Sequence, residues 1–229
     1  MLFWDRLWEN LPYFLEVLIP AAGMTVRIAA GAFVVAIVVG LLLALLQTAK
    51  VPVINAIVRG YIEIVRGTPV LAQLFILYFG LTEFGVRFTP VQAAILGLGF
   101  NGGAYLAEVF RAGIQSIHAG QMEAALTVGM TPLLAMRYVV LPQALNVVVP
   151  PTTNYSIALL KDTAIVSAVA APEIMFKARN LVMETYLSAQ IYLLVAVMYL
   201  VLSLILAVIA RRVERRLAVS GSAGRTAAA

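Results

Sequence analysis

A few charged residues interrupt long apolar runs, and these are where chemistry has to be sought. Glu108 lies inside one run, and the pair Lys161-Asp162 inside another. A charge placed within a membrane-length segment is costly and marks a polar pathway by default. Asn101, Tyr105 and Glu108 are spaced i, i+4, i+7, so on a helix they share one face. Asn154, Ala158, Leu159 and Asp162 fall on roughly one side of the other segment. Carboxylates on such faces suit a cationic group, and amide or backbone donors an anionic one, so the pattern describes a polar binding site. A plainer alternative stands beside it: Glu108 pairs with Arg111 at i+3, and Lys161 with Asp162 or a neighbour, as structural ion pairs. Depth also matters. The expected boundaries put Glu108 and Asp162 about 15 Å apart along the membrane normal, at 1.5 Å per residue, which works against one compact site holding both.

Composition says what must position these residues. Of 229 residues, 62% are hydrophobic and only 12% charged, about half the charge of a soluble domain. An integral membrane protein follows, with room for roughly five or six spans of about 20 residues. The net charge of +5 is explained by basic residues flanking spans; no aromatic-basic interleaving points to nucleic acid. Absence of cysteine excludes disulfides and thiolate chemistry. One histidine, His118, makes no metal site.

The first residues lack the basic start and small-residue cleavage site of a signal peptide. Phe3, Leu7, Trp8 and Leu11 recur at helical spacing among polar residues, which predicts an interfacial helix over 1–19. The transmembrane domain is expected over 20–215 and a disordered cytoplasmic tail over 216–229. Spans are predicted at about 21–48, 90–117, 142–168 and 188–210. Between the first two of these, an apolar run over 70–80 is entered through Gly67-Thr68-Pro69, with Thr68 as N-cap and Pro69 at N1, giving a bent span. Gly99 and Gly103, four apart, permit close helix approach. Pro150-Pro151 interrupts the fourth span and frees carbonyls near Asn146 and Val147.

Five spans put the ends on opposite sides. With the N-terminus outside, the inner segments hold Lys50, Arg59, Arg66, Arg111, Arg137, Arg211, Arg212, Arg215, Arg216 and Arg225. The outer ones hold Arg6, Arg87, Lys177 and Arg179. Ten against four supports that orientation.

The stretch "EAALTVGMTPLLAMRYVVLPQA", residues 123–144, would then face the cytoplasm. Residues 120–128 read as a short helix ended by a left-handed Gly129. Thr131 caps a second helix, with Pro132 first, running to about Val140; Leu141-Pro142 hands over to the next span. Read by physics alone, this is equally an amphipathic connection. Yet Glu123-Ala124-Ala125, three residues, Gly129, nine residues, Val139, one residue, and Leu141-Pro142 resembles the EAA loop of ABC-importer permeases. Val139 stands where isoleucine is usual. "RGTPVLAQLFILYFGL", "GGAYLAEVFRAGIQSIHAGQMEAA", "RYVVLPQAL" and "ALLKDTAIVS" resemble the polar-amino-acid branch of that family (histidine, glutamine, arginine or glutamate uptake), over about residues 20–215.

The resemblance implies an all-α integral membrane protein, of the type I importer permease fold, with about five transmembrane helices and a cytoplasmic coupling helix. It implies that Glu123, Ala124, Ala125, Gly129, Leu141 and Pro142 form the coupling element for a cytoplasmic ABC ATPase dimer. It implies substrate binding between the spans bearing Asn101, Tyr105 and Glu108 and Asn154, Ala158, Leu159 and Asp162. The expected partners are that ATPase, a second permease subunit (the same chain or a close homologue) and an extracytoplasmic amino-acid-binding protein. The setting is the bacterial cytoplasmic membrane. No Gly-rich loop ending in Gly-Lys-Ser/Thr is present, so no cofactor is expected in this chain. ATP and Mg belong to the partner, and the chain is a transport subunit, not an enzyme. Two other readings compete. An ion-gradient-driven amino acid transporter would need paired repeats, which are not seen. A non-transporting scaffold has no need for Glu108, Lys161 and Asp162 within spans.

Overall fold

A computed structural model describes residues 3–48 and 51–222. These are mostly helical, with no strand among the described residues. Helix α1 covers Phe3–Thr48, α2 Pro52–Gly67, α3 Val70–Tyr78 and α4 Pro90–Gln115. Two short helices follow, α5 over Ala119–Thr127 and α6 over Pro132–Ala135. A π turn over Met136–Val140 joins α6 to α7, Leu141–Asp162. A 3-10 segment, Thr163–Val169, leads to α8, Ile174–Thr185, and then α9, Ser188–Ser222.

Four helical stretches are long and apolar enough to cross a membrane, and the α2–α3 pair, bent by 105°, makes up to five. The bend is the elbow expected from Gly67-Thr68-Pro69, with the caps shifted by one. Thr68 closes α2 and Pro69 is the N-cap of α3. The Thr68 hydroxyl donates back to the Ile64 carbonyl, 2.8 Å, and accepts from the Gln73 side-chain amide, 2.8 Å; no side chain caps the first amides of α3.

α4 packs along the C-terminal half of α1. Their contact is made of small residues. A Cβ added at Gly103 would lie 2.6 Å from Val39 Cβ, and one at Gly40 would lie 2.9 Å from Leu106 Cβ. Only hydrogen fits there, which lets the backbones approach and dispersion contacts accumulate where no hydrophobic drive exists between helices in lipid. One buried cluster centres on Ile28, Leu74, Leu98 and Leu159. A second, around Phe14, Leu18, Ile174 and Ile191, binds α8 to α1 and α9.

The helices depart from the expected boundaries at four points. The boundary at residues 19 and 20 falls inside α1, which is 46 residues long with no break at Pro12 or Pro20. At 1.5 Å per residue it is about 70 Å, more than twice a hydrocarbon core. At the other end α9 continues to Ser222; residues 223–229 of the expected disordered tail lie outside the described residues. The second helix of the 123–144 stretch does not stop at Val140. Pro142 lacks an N–H and its ring crowds the carbonyl four residues back. The chain meets this with a π turn, a known one-turn adjustment, in which Leu141 N–H bonds to the Met136 carbonyl. Likewise α7 runs unbroken through Pro150 and Pro151.

Candidate functional site

The α4 face predicted from spacing forms, and its neighbours come chiefly from α2. Arg66, in the last turn of α2, lies over the Tyr105 ring, 5.2 Å from its centroid. Tyr105 in turn stacks on Tyr155 of α7, centroids 6.2 Å apart. Asn101 Nδ2 donates to Gln73 Oε1 at 3.2 Å. Gln73 Nε2 donates to the Val65 carbonyl at 2.7 Å and to the Thr68 hydroxyl at 2.8 Å. The α2–α3 elbow is therefore tied to α4 through two side-chain amides. Gln73 escaped the sequence reading, because a lone glutamine in an apolar run gives no spacing signal.

Glu108 is held twice by Arg111, Nη2 to Oε2 at 2.5 Å and Nε to Oε1 at 3.3 Å, and accepts from Gln47 Nε2 at 3.4 Å. The i+3 ion pair raised as the plainer alternative thus exists. It does not close the site. Glu108, Arg111, Gln47, Arg59, Glu63 and Arg66 line a polar cavity of about 400 Å³ between α1, α2 and α4. A forked guanidinium–carboxylate pair at its wall is a fixed, orienting contact.

The α7 residues are placed differently. Asn154, Ala158 and Asp162 are exposed on the single chain, while Leu159 is 1% exposed, inside the cluster with Ile28 and Leu98. None of the four lines the Glu108 cavity. Neighbours at i, i+1 do not face each other on a helix, and among the described residues Lys161 and Asp162 form no ion pair. Tyr155, next to Asn154, is the α7 residue that reaches the α4 face.

The 123–144 stretch forms a rigid corner. His118 caps α5, its Nδ1 accepting from the Gly120 N–H at 3.0 Å; that is the role of the lone histidine. Gly129 has φ +88°. Its N–H bonds to the Leu126 carbonyl at 3.0 Å, and Met130 N–H to the Ala125 carbonyl at 3.1 Å, the paired bonds of a Schellman turn. Thr131 then caps α6 by accepting from Leu134 N–H at 3.4 Å. Glu123 and Ala124 are exposed and Ala125 is buried, while Leu126, Val128 and Leu133 present apolar surface beside them. Leu141 and Pro142 sit at the start of α7, directly above the π turn.

One further polar group lies between α7 and α8. Glu173 is fully buried. As N-cap of α8 it accepts from Met175 N–H at 2.8 Å, Phe176 N–H at 2.7 Å and the Tyr199 hydroxyl at 2.7 Å. Burial pushes its carboxyl above the ordinary range, and those three donors pull it back part of the way. Thr25 of α1 accepts from Ile174 N–H, 3.2 Å, so α8 is fastened to both long helices.

Comparison with known proteins agrees with this architecture. Residues 36–219 match the family described as binding-protein-dependent transport system inner membrane component. The chain is 37% identical to the probable amino-acid permease protein YxeN of Bacillus subtilis over 211 residues, 91% of this chain and 94% of that one. It is 34% identical to the glutamine transport system permease protein GlnP of Escherichia coli, over 93% of this chain and 97% of that one. A chain in a crystal structure of an amino acid ABC transporter with histidines superposes with TM-score 0.83 at 35% identity, over 94% of this chain and 99% of that one. These matches displace the ion-gradient reading. The chain belongs to the family of inner membrane components of binding-protein-dependent transport systems, as a permease subunit of an ABC importer.

Proposed function

We propose that the chain carries a polar amino acid inward, as one of two permease subunits seated on an ATPase dimer and fed by an extracytoplasmic amino-acid-binding protein. The observation that carries this reading is the connection of α5. Three residues, 116–118, separate it from α4 at one end, and the Gly129 turn, α6 and the π turn join it to α7 at the other. A displacement of α5 is thereby passed to both helices that bear the candidate substrate residues. Glu123, Ala124 and the apolar surface of Leu126 and Val128 are offered to the ATPase; Ala125, Gly129, Leu141 and Pro142 hold the corner. The relatives' names supply the substrate class, amino acids.

Substrate is taken on the α4 face of Asn101, Tyr105 and Glu108; Asn154, Ala158 and Asp162 of α7 offer a second, exposed face outside the Glu108 cavity, with Leu159 in the core behind them. Orientation is N-terminus outside and C-terminus cytoplasmic, supported by the ten-to-four distribution of basic residues. Affinity purification from native membranes tests the assembly. An ATPase at one copy per permease is expected, and proteoliposomes of the complex with a binding protein should accumulate amino acid only with internal ATP. Uptake that follows an ion gradient without ATP would overturn the proposal.

A further inference from the structure

An amino acid of any kind brings one ammonium and one carboxylate, and both must be met by the protein wherever water is displaced. The cavity beside Glu108 carries charges of both signs, and some are already committed. Arg111 spends Nε and Nη2 on Glu108 and Nη1 on Gln115, the last at 2.7 Å. The Glu108 carboxylate has about four lone-pair positions. Arg111 takes one on each oxygen and Gln47 a second on Oε1, so Oε2 is the oxygen with room to accept again. Two charged groups on the α2 wall are uncommitted. Among the described residues, Arg66 has no carboxylate within ion-pair reach and Glu63 no cation. They stand three apart on α2, on one helix face, and both line the cavity.

We infer that Arg66 holds the α-carboxylate of the substrate, and that Glu63 and Glu108 Oε2 receive its α-ammonium. This rests on the reading that the α4 face takes an amino acid. Arg66 is the cation best placed for the task. Its guanidinium lies over the Tyr105 ring, and Tyr105 is itself stacked on Tyr155. Stacking uses the flat face of a guanidinium and leaves its N–H edge to fork onto a carboxylate. A group oriented in advance loses less freedom on binding. Tyr105 and Glu108 are i, i+3 on α4, so Arg66 stands about one helical turn from the Glu108 carboxylate. Arg59 lines the same cavity two turns earlier on α2, but stacks on no ring among the described residues. The part common to every amino acid is thereby assigned to α2 and Glu108, and the variable side chain to the rest of the α4 face. A substrate so held joins α2, beside its elbow, to α4, the helix that leads into α5.

The test is titration calorimetry on the permease–ATPase complex without a binding protein. The ligands are histidine, arginine, glutamate and glutamine, each paired with the amine that lacks its α-carboxylate: histamine, agmatine, γ-aminobutyrate and γ-aminobutyramide. At least one amino acid should bind about thirtyfold more tightly than its paired amine, as for one charge-assisted contact. Arg66→Gln should erase that preference by weakening the amino acid and not the amine, and Arg66→Lys should keep part of it. Arg59→Gln, the loss of an exposed charge, should change the ratio less than about fivefold. A substitution that only deforms the elbow weakens both members of a pair alike, and that result overturns the inference. So does a wild type that does not distinguish amino acid from amine. If amino acids bind and their preference survives Arg66→Gln, the α4 reading stands and this assignment falls. If none of the four amino acids binds the wild type, the α4 reading falls and takes the assignment with it.

Discussion

Gln143, one turn into α7, donates its side-chain amide to Gln121 of α5 at 3.2 Å and to the Val139 carbonyl at 2.9 Å. Helix α5 is therefore bonded to α7 across the corner as well as through it. A neutral exposed hydrogen bond is worth about 1 kcal/mol, too little to hold the fold but enough to bias a hinge. Gln143→Ala should leave the thermal midpoint of the complex nearly unchanged and lower the ratio of amino acid transported to ATP hydrolysed. An unchanged ratio in proteoliposomes would show that the corner needs no second tie.

Gly129 gives a sharper test of the same element. Its φ of +88° is open to glycine, and a Cβ there meets nothing within 4 Å. Any effect of substitution is thus backbone strain, not collision. A β-branched residue in left-handed conformation is strained by roughly 1–3 kcal/mol, whereas asparagine tolerates it. Gly129→Val should insert normally and lose most ATP-driven uptake, and Gly129→Asn should recover much of it. Equal uptake in all three forms would remove the turn from the coupling path.

How much of this was legible beforehand follows from which signals act locally. Apolar length marked α1, α4, α7 and α9, because a bilayer demands it. Gly67-Thr68-Pro69 marked the elbow and Gly129 the turn, because each carries its own backbone constraint. What escaped depends on partners far along the chain. Glu173 looks like a loop carboxylate until Tyr199, 26 positions on, and the α8 amides are brought to it. Gln73 gains meaning only from Asn101. Leu141-Pro142 reads as a break since proline usually is one; the π turn that absorbs it has no sequence mark. On α7, helical spacing grouped Leu159 with Asn154, Ala158 and Asp162, but packing turned Leu159 into the core.

The Glu108–Arg111 pair separates two roles by kinetics. If Glu108 only holds Arg111, then Glu108→Gln and Arg111→Gln should lower basal and substrate-stimulated ATP hydrolysis in parallel. The cavity shared with Arg59, Glu63 and Arg66 supports the other outcome. Glu108→Gln should cut substrate-stimulated hydrolysis about tenfold, as for loss of one charge-assisted contact, with basal hydrolysis kept. Parallel losses would assign the pair to structure alone.

Glu173 makes the stability depend on pH in a stated direction. Its folded pKa is raised by burial above that of the unfolded chain. Its contribution is therefore fully present below the ordinary glutamate value of about 4.3, and declines as pH rises through the raised folded value. Glu173→Gln removes that titration and keeps one oxygen acceptor for the α8 amides. The wild-type thermal midpoint minus that of Glu173→Gln, in detergent, should thus increase as pH is lowered from about 7 toward 4. The comparison cancels the other carboxylates, which titrate in both proteins. A difference that stays flat, or shrinks on acidification, would mean that the two α8 amides and the Tyr199 hydroxyl outweigh burial and hold Glu173 ionised at no penalty.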